Sequence, residues 1–134
     1  MKKLGAIHYI DSQWQNAVEE LAKMGGAKVI LGTVPGSKTM GVVLGGLGVN
    51  GKLIIIGGSY EPLQVPTLQL MAGRQSIEGW YSGSSIDAQD TLSFSAISGV
   101  RPMNEIFMLD HAAEACELMM SDQARFREIG RAHV

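Results

Sequence analysis

Lys52-Leu-Ile-Ile-Ile56, closed by Gly57-Gly58 and entered through Asn50-Gly51, decides how this chain is read. A turn dipeptide, a short run of apolar and mostly β-branched residues, and a second turn make a strand. Ahead of it Met40, Val43, Leu44 and Leu47 recur at helical spacing, with Ser37 as the expected N-cap and Gly48 as the stop. Before that helix stands Lys28-Val-Ile-Leu31, an apolar run without strict alternation, the pattern of a strand buried on both faces. Further upstream, Val18, Leu21 and Ala22 share a helical face that Asp11 or Ser12 caps and Gly25-Gly26 ends. Ala6-Ile-His-Tyr-Ile10 reads as one more short strand, and Met1-Lys-Lys-Leu-Gly5 as the last turn of a helix closing on glycine. Strand and helix alternate over short links, which calls for a parallel sheet with right-handed crossovers.

Toward the C-terminus the pattern loosens. Leu63-Gln-Val65 lies between Pro62 and Pro66, as a short edge strand does. Ser76-Ile-Glu-Gly-Trp80 reads as a strand, and Asp87 as the cap of a helix carrying Leu92, Phe94 and Ala96 to Gly99. Asn104-Glu-Ile-Phe-Met108 is a further strand, with Asp110 capping a last helix through Met120. No repeat, low-complexity segment or linker divides the chain, so its 134 residues are expected to share one core.

Composition narrows the function. Hydrophobic residues make up 46% and charged residues 18%, the balance of a folded chain. A formal charge of −2 provides no broad attraction to nucleic acid or to an anionic membrane. No long uncharged span and no signal peptide is present, so the expected location is the cytoplasm. A single cysteine, Cys116, rules out an internal disulfide and reads as a buried helical residue. His8, His111 and His133 are far apart, and neither H-x-x-x-H nor C-x-x-C occurs, so no metal site is expected. Ser82-Gly-Ser-Ser85 is not a nucleophile elbow, and Glu19-Glu20 is a solvated helix face; no catalytic set emerges.

One motif invites a wrong conclusion. Gly46-Leu-Gly48-Val-Asn-Gly51 matches the dinucleotide fingerprint G-x-G-x-x-G. That motif works after a strand and at the start of a helix, where free N–H groups meet the pyrophosphate. Here the helix comes before and the strand after, which would turn helix carbonyls toward the phosphates. The motif is read as a helix stop and a turn.

Leu4-Gly-Ala-Ile-His-Tyr-Ile-Asp11, Gly26-Ala-Lys-Val-Ile-Leu31, Gly46-Leu-Gly-Val-Asn-Gly-Lys-Leu53, Ile77-Glu-Gly-Trp80, Gly99-Val-Arg-Pro102 and Ala124-Arg-Phe-Arg127, taken as an ordered set, resemble the zinc-type medium-chain alcohol dehydrogenases. The resemblance implies an α/β fold, an incomplete Rossmann-like parallel sheet with flanking helices, over residues 1–127. It matches the third strand onward of a sheet ordered 3-2-1-4-5-6. In such enzymes the zinc ligands, the true glycine fingerprint and the acidic residue that selects the adenosine ribose come earlier than anything matched here. The tail from Glu128 to Val134 lacks the closing apolar strand of the family and is expected to be divergent. Both ends thus read as those of a truncated chain.

Transferred position by position, the resemblance assigns cofactor contacts. Thr33 and Val34 fall near the adenosine ribose and the dinucleotide bridge. Ile56, Gly57 and Gly58 form the turn beside the nicotinamide, Trp80 and Ser82 orient its carboxamide, and Arg125 meets the pyrophosphate. Each has a bland alternative: Gly57 and Gly58 as turn formers, Trp80 as a packing residue, Arg125 with Arg127 and Arg131 as a solvated surface. NAD(P) is the implied cofactor, with weak or absent binding because the fingerprint is missing, and no zinc is expected in this chain. The family also implies a homodimer through Leu63, Gln64 and Val65. A non-enzymatic, homo-oligomerising or interaction module derived from such a domain is the alternative function. A different small α/β transferase would need a phosphate loop after a strand, and none is found.

Overall fold

In the computed structural model residues 5–121, 123–124 and 127–131 are described. They form two compact units, 1–83 and 84–134, where the sequence pointed to one core. Among the described residues the strands form one sheet of three and one of two.

The first unit holds α1 (Ala17–Lys23), β1 (Ala27–Gly32), α2 (Ser37–Val43), a 3-10 turn at Leu44–Gly46, β2 (Leu47–Ile55), α3 (Thr67–Gly73) and β3 (Ser76–Gly79). Its sheet is parallel and ordered β1-β2-β3. The register aligns Ile30, Leu53 and Ile77 on one face. That face packs on Met40, Leu44, Leu47 and Leu53, the buried apolar cluster, with Ile55, Leu63 and Val65 around it. Met40, Leu44 and Leu47 are buried as their spacing implied, but the helix read through Leu47 ends at Val43, and Leu47 already opens β2 rather than preceding a stop at Gly48.

Several local expectations are corrected. β1 is not buried on both faces: Val29 and Leu31 are 52% and 58% exposed, because only the Ile30 side meets the cluster. Residues 6–10, read as a strand, form none. Ile7 and Tyr9 in that stretch are 82% and 56% exposed. Asn16, not Asp11 or Ser12, caps α1 by accepting from the Val18 and Glu19 amides. Asp11 closes the turn before it, accepting from the Gln13 amide through its side chain and from the Gln15 amide through its carbonyl. Gly25 and Gly26, both at positive φ, do end α1, as expected. At α2 the N-cap is Gly36, one residue before Ser37.

Gly46 closes the 3-10 turn, while Gly48 and Gly51 already lie within β2. Ala27 pairs with Leu47 and Val29 with Lys52, so residues 48–51 loop out as a bulge, with Asn50 at φ 58°. None of the three glycines stands at a helix start, and the phosphate-binding context is absent from this motif. Leu63-Gln-Val65 joins no ladder within the chain; Leu63 and Val65 instead pack on the cluster.

The second unit contains α4 (Ser85–Ser98), β4 (Asn104–Met108), a 3-10 turn at Leu109–His111, α5 (Ala112–Met120) and β5 (Arg127–Arg131). Ser84, rather than Asp87, is the N-cap of α4; Asp87 completes a reciprocal capping box with it, and Gly99 ends the helix at positive φ. Asp110 lies in the 3-10 turn, and His111 occupies the N-cap of α5. The tail read as divergent contributes β5, parallel to β4 with Ile106 opposite Ile129. A strand of this polarity is specified by its backbone ladder with β4 rather than by apolar alternation. Cys116 is exposed, not buried, and neither α4 nor α5 contains a buried residue. A two-stranded sheet offers too little surface to cover them. No helix among the described residues is long and apolar enough to cross a membrane.

Candidate functional site

The carboxyl ends of β1, β2 and β3 meet at one edge of the first unit's sheet. The Gly32 carbonyl accepts from the amides of both Ile56 and Gly57, each at 2.9 Å. The Trp80 amide in turn donates to the Ile55 carbonyl at 2.9 Å. These bonds bring Thr33-Val34, Ile56-Gly57-Gly58 and Trp80 to adjoining strand ends, where open α/β sheets receive ligands. Val34, Ile56 and Trp80 expose about half of their surface, while a side chain at Gly58 would meet nothing within 4 Å. Ser82 is exposed two residues beyond Trp80. Arg125 lies outside the described residues.

Gly57 has a packing role that its loop position alone did not reveal. A Cβ there would stand 2.5 Å from the Thr33 carbonyl oxygen and 2.9 Å from the Val34 carbonyl carbon. Only a residue without a side chain lets the loops after β1 and β2 come this close.

The sequence reading missed a second link between these loops. The Ser37 hydroxyl donates to Glu61 Oε2 at 3.1 Å across 24 residues. Ser37 is only 8% exposed, and the two residues border a cavity of about 590 Å³. Lys38 and Val42 of α2 and Pro62 and Gln64 of the following loop complete its wall. Spacing carries no signal for this pair. On the other face of the sheet, Lys52 Nζ and Glu78 Oε1 stand 2.7 Å apart as a partly exposed cross-strand ion pair, a modest contribution of about 0–1 kcal/mol. Among the described residues no group of three or more His, Cys, Asp or Glu could hold a metal ion.

At this edge the Ile56, Gly57 and Trp80 amides are bonded to strand carbonyls, and the Val34, Ile56 and Trp80 side chains stand half-exposed. The glycines of the G-x-G-x-x-G motif lie apart from it, in a turn and a strand. The parallel sheet with its flanking helices makes this a Rossmann-like α/β fold. Residues 1–96 match the family model described as zinc-binding dehydrogenase, and the chain belongs to that family. It is 37% identical over 131 residues to alcohol dehydrogenase patD of Penicillium expansum, covering 96% of this chain and 37% of that protein. It is 33% identical over 125 residues to NADP-dependent alcohol dehydrogenase C 1 of Mycolicibacterium smegmatis, covering 93% of this chain and 35% of that one. An alcohol dehydrogenase zinc-binding domain protein from Burkholderia ambifaria shares the fold at a TM-score of 0.86 and 20% identity, over 99% of this chain and 38% of that one. The chain thus spans under two-fifths of the length of these relatives.

Proposed function

We propose that this chain is the later part of the NAD(P)-binding domain of a cytoplasmic, zinc-dependent alcohol dehydrogenase, and that alone it is catalytically inactive. The observation that carries the reading is the sheet edge. There Thr33-Val34, Ile56-Gly57-Gly58 and Trp80 converge, and Gly57 lies against Thr33. In a complete site these residues would hold the riboses and nicotinamide of NAD(P) by backbone contacts. Ser82 and Arg125 complete the set on resemblance. A nicotinamide held there would supply or accept the hydride exchanged with an alcohol or aldehyde. The Mycolicibacterium relative, an NADP-dependent alcohol dehydrogenase, supports the cofactor class. Cofactor binding by this chain alone is weak, because the pyrophosphate lacks its cradle of amides. The purified chain, incubated with NAD(P) and a panel of primary alcohols, is expected to show no growth of NAD(P)H absorbance. Alcohol-dependent turnover would overturn the reading.

A second reading, a homo-oligomeric interaction module, is favoured by the free edge of β1 and its exposed Val29 and Leu31. In this reading Leu63-Gln-Val65 pairs across a two-fold axis. Light scattering should then return twice the chain mass of 14.4 kDa. Val65→Pro, which removes a backbone donor, should lower that mass. A strictly monomeric species would count against it.

A further inference from the structure

We propose that the Ser37–Glu61 hydrogen bond is a positioning latch that fixes the loops after β1 and β2 relative to each other at the candidate cofactor edge. Ser37 follows directly on the loop 33–36, and Glu61 lies in the middle of the loop 56–66. Their 3.1 Å bond therefore closes both loops into one ring with the paired strands. The Ser37 hydroxyl is available for this because it does no capping: Gly36 holds the N-cap of α2. Ser37 is 8% exposed and its hydroxyl donates to the more exposed Glu61 in a partly buried bond, so losing that bond leaves a largely desolvated donor. Glu61 is itself oriented: its amide donates to Ser59 Oγ at 3.1 Å. The adjoining cavity of about 590 Å³ leaves room for the 61–64 segment to shift once the bond is broken. Gly57 against Thr33 is the backbone half of the same junction, and Ser37–Glu61 is its side-chain half. Neither Ser37 nor Glu61 needs to touch the cofactor; both act through Thr33-Val34 and Ile56-Gly57-Gly58. The functional sense of the latch rests on the NAD(P) reading of that edge.

Amide hydrogen exchange, read residue by residue by NMR on the full chain, tests the latch without any cofactor. In Glu61→Ala the Ile56 and Gly57 amides should exchange about tenfold faster, the scale of one partly buried hydrogen bond. The Leu53 amide should keep its rate. Glu61→Gln retains an accepting oxygen and should restore the parental rates; Ser37→Ala should behave as Glu61→Ala. Unchanged exchange at Ile56 and Gly57, or equal acceleration throughout the sheet, overturns the latch. A second arm repeats the spectra with millimolar NADH, where the parental chain should show shifts at Val34 and Gly58 that Glu61→Ala loses. If the exchange pattern holds but the parental chain shows no NADH shift, the latch stands and the cofactor reading falls.

Discussion

At Gly57 the backbone of one loop rests on the carbonyl of another, with no room for a methyl group. Gly57→Ala is therefore expected to cost about 1–3 kcal/mol of stability, as overpacking does. A urea midpoint unchanged from the parental chain would show that the loops do not meet as described. Arg74 is the opposite case. It holds the C-cap of α3 at φ 48°, a left-handed conformation that costs a residue with a side chain about 1 kcal/mol. Arg74→Gly should stabilise the chain by about 0.5–1 kcal/mol, read from the same denaturation curve. The candidate site residues were legible only through resemblance, since Thr33, Val34 and Ser82 are ordinary loop residues. The Ser37–Glu61 bond was not legible at all: Ser37 reads as a helix cap, and a bond across 24 residues leaves no periodic trace.

Among the elements, those with local signals came through best. β2, β3, β4 and α4 lie within a few residues of their expected positions because turn residues, β-branched runs and a glycine stop are all encoded nearby. α4 also carries a pH dependence. The Ser84 hydroxyl and amide donate to the Asp87 carboxylate and hold its pKa below the ordinary 3.8. A group whose folded pKa is depressed stabilises the fold above its unfolded value and loses that contribution as pH falls through the folded one. The unfolding midpoint should therefore drop below about pH 4, and Asp87→Asn should flatten that part of the profile. A variant with the parental pH dependence would show that the capping box does not form. The elements misread, residues 6–10 and β5, depend on partners distant in sequence. An apolar run becomes a strand only where a ladder receives it, and Arg127–Arg131 becomes one without being apolar because β4 does.

On the scale of the molecule, little is buried. The core cluster is Met40, Leu44, Leu47 and Leu53, and Leu44 is fully enclosed. Leu44→Ala should cost about 2–5 kcal/mol, a large share of what a chain of this size can hold, and is expected to unfold the first unit. Retention of the parental melting transition would place the core elsewhere. The parallel α/β plan was legible from the alternation of strand and helix signals. Division into two units was not, because the short Ser82-Gly-Ser-Ser85 run at the step reads equally well as an ordinary loop. The chain carries the strand ends of a dinucleotide site, while its one G-x-G-x-x-G sequence is spent on a turn and a bulge. Calorimetric titration of the purified chain with NADH and NADPH tests this most directly. The account predicts dissociation constants weaker than about 0.1 mM, roughly −5.5 kcal/mol. Tighter, saturable binding of either nucleotide would contradict it.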